Sequence, residues 1–136
     1  MAQLKSLSID GNPVVDFIVE QGTSGDWTYR KWNSGIAECW CSSIVSANFS
    51  STSTWGSLYS SGQIGELDFP FTFKTVPTIN VTVASASNGG FLGVGGGGNM
   101  TSTTKTGGFE LFRGGISSIT TGINYKLNYY AIGTWK

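Results

Sequence analysis

Apolar residues in this chain return at every second position. "ELDFPFTF" puts Leu67, Phe69, Phe71 and Phe73 on one face of an extended segment, and "TINVTV" alternates Ile79, Val81 and Val83 with Thr78, Asn80 and Thr82. No stretch longer than about ten residues carries the spacing of an amphipathic helix, and Gly, Asn and Ser bound the alternating runs. Strands are predicted near Val14 to Glu20, Trp27 to Trp32, Ile36 to Val45, Gly65 to Phe73, Thr78 to Ala84, Gly108 to Arg113 and Tyr125 to Trp135. That pattern specifies an all-β domain, an antiparallel β-sandwich of jelly-roll type. Pro70 has no N–H to give to a ladder, so the Gly65 to Phe73 strand is expected at an edge or in a bulge.

The stretch "WTYRKWNSGIAECW" reads as a hairpin. Asn33 and Ser34 suit a type I turn, Gly35 takes the left-handed position after it, and Trp32 faces Ile36. Counting outward pairs Arg30 with Glu38 and Thr28 with Trp40 on one face. On the other, Lys31 meets Ala37, Tyr29 meets Cys39 and Trp27 meets Cys41. Arg30 and Glu38 are therefore expected to form a structural ion pair, shielded by flanking aromatics and held by two hydrogen bonds. If it is buried, Arg30→Ala should cost about 3 to 5 kcal/mol. A catalytic role for Glu38 finds little support: the neighbouring arginine favours the ionised form, and nothing selects a second carboxylate among Glu20, Glu66, Asp68 and Glu110.

Composition narrows the function. The chain has no histidine, which removes the usual general base and metal ligand, so no catalytic residue, metal or cofactor is assigned. Charged residues are 12% of the 136, about half the usual share, and eight basic residues balance eight acidic ones. There is no basic excess to attract nucleic acid. No apolar run reaches the roughly 20 residues of a membrane span, and the first residues lack the apolar centre of a secretory signal. Cys39 and Cys41, two apart on a strand, point to one face and are poorly placed to bridge each other. "GVGGGG" meets the spacing of a dinucleotide-binding turn from Gly93 to Gly98, but no βαβ unit surrounds it; glycine there suits flexible or closely approached backbone.

Four pieces of the chain, "DFIVEQGTSGDWTYRKWNSGIAECW", "WGSLY", "FPFTFKTVPTINVTV" and "YAIGTWK", occur in the order found in a known group. With them the sequence resembles the C-terminal receptor-binding head domains of tail fibre or minor structural proteins from phages and prophages of Gram-positive bacteria. The pattern usually has glycine where this chain has Cys41. The resemblance implies one β-sandwich head over residues 1–136, with 1–13 joining an upstream fibre shaft. It further implies a homotrimer that recognises a host surface component such as a cell-wall saccharide, carried on the virion and reaching the exterior by lysis. In that setting the sequons at Asn48, Asn80 and Asn99 are incidental. Aromatics on both hairpin faces, more than one small core needs, agree with a subunit interface. Two other readings share these features: a structural trimerisation cap that binds no receptor, and a monomeric carbohydrate-binding module.

Two long segments, Ser46 to Gly62 and Ser85 to Gly108, are expected to be irregular, and long loops on a rigid scaffold commonly carry binding function. Trp55 and Tyr59 lead as ligand-binding candidates, with Asn48, Asn88 and Asn99 as polar contacts, because an aromatic face stacks on sugars while amides and hydroxyls supply hydrogen bonds. The competing role for both rings is to fold back and cap the sandwich.

Overall fold

The computed structural model describes residues 6–13, 15–49, 54–86, 93–96, 99–114 and 120–136. No helix occurs among them, and the fold is an antiparallel β-sandwich. The larger sheet joins β3 (Ile18–Ser24), β4 (Trp27–Trp32), β5 (Ile36–Phe49), β11 (Thr120–Thr134) and β8 (Thr78–Ala86), in that order. The smaller joins β6 (Thr54–Trp55), β7 (Leu58–Ser60), β10 (Phe109–Arg113) and β9 (Gly93–Gly96). β1 (Ser8–Ile9) and β2 (Asn12–Pro13) form a separate short ribbon.

The long strands β5 and β11 are the spine of the larger sheet, running antiparallel from Ile36↔Thr134 to Phe49↔Thr120. Their alternation is strict: Ala37, Cys39, Cys41, Ala47 and Phe49 on one strand and Ile123, Tyr125, Leu127, Tyr129 and Ala131 on the other are buried. Small residues face larger ones at Cys41 opposite Tyr129 and Ala47 opposite Ile123, while Ala131 and Cys39 pair two small residues. The core aromatics pack at steep angles, Trp27 tilted 5.8 Å from Phe69, and Phe109 with Tyr129 (5.9 Å) and Phe49 with Tyr125 (6.3 Å) edge to face.

The expected strand at Gly65 to Phe73 is not a strand. Its face is as predicted, since Phe69 and Phe73 are buried and Leu67 and Phe71 pack on the core. Its ladder is missing: apart from one bridge, Asp68↔Lys105, the segment hangs on the turn at 103–106 through Phe69 N–H to Thr104 O (2.8 Å), Phe73 N–H to Thr103 O (2.9 Å) and a reciprocal Leu67–Thr106 pair. Pro70 and the glycine before the run keep it from pairing. Gly65 has φ of +76°, and a Cβ there would meet the Tyr129 hydroxyl at 2.6 Å, where that hydroxyl donates to Gly65 O.

Two segments expected to be irregular carry strands. β5 runs on to Phe49, and Thr54 to Ser60 is a tight hairpin turning at Gly56, with φ of +61°. The glycine run holds β9, paired with β10 from Gly96↔Phe109 to Gly93↔Phe112. The expected start at Val14 lies outside the described residues, as do Gly97 and Gly98, and the first long strand begins at Ile18.

Candidate functional site

The hairpin of β4 and β5 has the predicted register: Thr28↔Trp40, Tyr29↔Cys39, Arg30↔Glu38 and Lys31↔Ala37. Gly35 has φ of +100°. Asn33 binds the incoming chain, accepting from Phe17 N–H at 2.8 Å and donating to Val15 O at 3.2 Å. The chain end is tied to the same turn, Trp135 donating its backbone N–H to Gly35 O and its indole N–H to Trp32 O. "WNSG" and "GTWK" are therefore one structural unit.

The ion pair that matters there is on the inner face and was not foreseen. Lys31 Nζ lies 2.7 Å from Glu20 Oε2, with side chains 17% and 23% exposed. Phe71, Trp135 and Tyr29 stand 4.9, 5.5 and 5.9 Å from the ammonium, so one sandwich end is closed by a lysine that is paired and caged. The register placed Lys31 with Trp27 and Tyr29 on one face, without identifying that face as the inner one.

Arg30 and Glu38 are cross-strand partners on the outer face, but the expectation of a shielded, two-bond pair needs correction. They touch through one contact of 3.9 Å, and Arg30 is 45% exposed. The guanidinium instead lies over Trp40 at 5.2 Å, while Tyr130 donates its hydroxyl to Glu38. That hydrogen bond pushes Tyr130 up to about 12.

The outer face of the larger sheet divides into two zones. Near the hairpin turn, Ile18, Ile36 and Ile132 remain 36%, 40% and 39% exposed around Trp32. Further along, Trp40 and Tyr130 are direct cross-strand neighbours in the row Thr23, Thr28, Trp40, Tyr130, Asn80. The next row carries Ser42 donating to Asn128 at 2.6 Å, with Thr82 beside them. Two aromatic rings, bordered by hydroxyls, amides and one compensated charge pair, form a shallow polar-aromatic platform.

The residues singled out from sequence are dispersed. Tyr59 lies in β7 opposite Thr54 and Arg113 and packs on the core. Trp55 is placed by its backbone in β6, opposite Leu58. Asn48 is exposed at the end of β5, and its side chain accepts from Gly122 N–H at 2.8 Å. Asn99 donates to Glu66 at 2.9 Å, and its backbone N–H donates to Gln63. Asn88 lies outside the described residues. Tyr59 and Trp55 share the smaller sheet, whereas Asn99 belongs to a surface network in which Lys105 reaches both Glu66 and Asp68 at 3.4 Å. The Asn99 hydrogen bond, with Lys105, holds the Glu66 carboxyl below its ordinary value.

Cys39 and Cys41 are free and buried on the inner face. Burial pushes their thiols up to about 12 and about 11, so both stay protonated and unreactive near neutrality. No family model matches the chain, and no curated protein or solved structure matches it.

Proposed function

We propose that this chain is the head domain of a tail fibre or minor structural protein from a phage or prophage of a Gram-positive host. In this reading it works as a homotrimer on the virion and binds a saccharide of the host surface without transforming it. The observation that carries the reading is the outer face of the five-stranded sheet. Its platform sets Trp40, over which the Arg30 guanidinium lies, and Tyr130 beside Thr28, Asn80, Ser42 and Asn128, the mixture of aromatic surface and hydrogen-bonding groups that hydroxylated ligands require. The adjoining isoleucine zone is apolar surface of the kind obligate subunit contacts cover. The four motifs that resemble phage head domains support the same reading. The two that frame the hairpin turn and the chain end meet in one set of hydrogen bonds.

Adsorption to purified Gram-positive cell walls tests it, using Trp40→Ala, Trp55→Ala and Tyr59→Ala alongside the parent. Trp40→Ala is expected to lose adsorption about fivefold or more with an unchanged melting temperature, one aromatic stacking contact being worth about 1 kcal/mol. Selective loss in Trp55→Ala or Tyr59→Ala instead moves the site to the smaller sheet. Absence of adsorption by the parent, with a mass three times the 14.4 kDa chain by light scattering, leaves a trimerisation cap; a monomer that adsorbs is a carbohydrate-binding module.

A further inference from the structure

β10 turns an arginine towards the interior. Phe109 packs on the core, Leu111 is fully buried, and Arg113 is next on that same face by strand alternation. Tyr59, its direct partner across β7 and β10, shares the face. Arg113 Nη1 is buried and has no hydrogen-bond acceptor among the described residues. Its charge is felt at the Tyr125 hydroxyl, which burial raises and the guanidinium lowers. All eight carboxylate side chains, Asp10, Asp16, Glu20, Asp26, Glu38, Glu66, Asp68 and Glu110, lie among the described residues, and the ion pairs they form go to Arg30, Lys31 and Lys105. Among the described residues, no carboxylate side chain pairs with Arg113.

A buried guanidinium N–H is costly unless it meets an acceptor, and the acceptor that fits its fork best is an anionic oxygen pair. We propose that Arg113, with Tyr59 beside it, is an anion-binding position that takes a phosphate or carboxylate group of the ligand at this end of the sandwich. Arg113 is only partly buried as a whole residue, so part of its side chain meets solvent although Nη1 does not, and a bound anion must displace the groups covering Nη1. The identity of the carrier, an acidic host-surface polymer, rests on the head-domain reading above; the position itself rests on Arg113 alone.

Thermal unfolding at fixed ionic strength decides it, with glycerol 3-phosphate and glucuronate as probes and glycerol and glucose as neutral controls. At roughly ten times its Kd, a bound anion should raise the melting temperature by about 4 °C. A response to glycerol 3-phosphate alone identifies a phosphate source, and one to glucuronate alone a uronic acid source. Arg113→Met should abolish the rise, and Arg113→Lys should keep a reduced one, which covers the case in which the methionine variant folds poorly. The proposal is overturned if neither anion exceeds chloride of equal ionic strength, or if Arg113→Met keeps the full rise. Wall adsorption separates the two claims. Adsorption untouched by Arg113→Met and by both anions removes this position and leaves the head domain standing, whereas anion binding without adsorption does the reverse.

Discussion

At one end of the sandwich interior Lys31 meets Glu20 at 2.7 Å inside three aromatic rings, and at the other Arg113 has a buried Nη1 and no acceptor among the described residues. The spine strands separate them: Lys31 sits over the row Ala37↔Gly133, while Arg113 lies near Tyr125, in the row Val45↔Tyr125. Both are cations turned inward on strands that otherwise bury apolar groups. The first is compensated by the chain itself and ties β3, β4, the 69–73 segment and the chain end together. The second is a cost that packing alone does not explain. A charge that the fold satisfies serves the fold, and the one left unsatisfied is the basis of the anion-binding proposal.

Breaking the compensated end should have the largest effect. Lys31→Met keeps the apolar stem against Phe71 and Trp135 but leaves Glu20 without its partner. We expect a loss of about 2 kcal/mol by chemical denaturation, less than a fully buried pair would cost because both groups retain some contact with water. Raising the pH probes the same end. Cys39, paired with Tyr29, has its folded thiol raised from 9.0 to about 12, so its contribution is complete below pH 9 and is lost as pH rises from there towards 12. At pH 10 the loss should be about 1.4 kcal/mol for this thiol, and Cys39→Ala should flatten the slope of melting temperature against pH between 9 and 11.

Arg30→Ala sharpens the contrast between the two hairpin cations. With a single 3.9 Å contact and an exposed side chain it should cost under about 1 kcal/mol, well short of the expectation for a buried pair, and the thermal melt should stay within about 3 °C of the parent. A loss as large as that of Lys31→Met would return the register-fixing role to the Arg30–Glu38 pair.

Much of this was legible in the residues. The hairpin register, the left-handed Gly35 and the inward face of Phe69 and Phe73 follow from turn chemistry and two-residue alternation, which act locally. The Gly65 to Phe73 segment shows where such reasoning stops: alternation fixes which side chains are buried, but whether a ladder forms depends on a neighbour, and here the neighbour is a turn about 35 residues away. β6, β7 and β9 escaped because these short segments carry no apolar period, and their pairing is set elsewhere, β7 and β9 on β10 and β6 on β7. Of the candidate binding residues, Tyr59 is placed against the core and Asn48 and Asn99 within local hydrogen bonds. The platform of Trp40 and Tyr130 joins residues 90 apart in sequence and needs the β5–β11 register, which no local pattern states.

The smallest expected effect bears most directly on the comparison. Lys31→Met and Arg113→Met make the same chemical change at the two ends, and melting both beside the parent at neutral pH without added anion compares them under one condition. We expect Lys31→Met to melt about 6 °C below the parent and Arg113→Met to melt at or slightly above it, because removing a guanidinium with one buried, unpartnered nitrogen relieves a cost. A fall in Arg113→Met as large as that in Lys31→Met would contradict the account, since it would mean that both cations serve the fold.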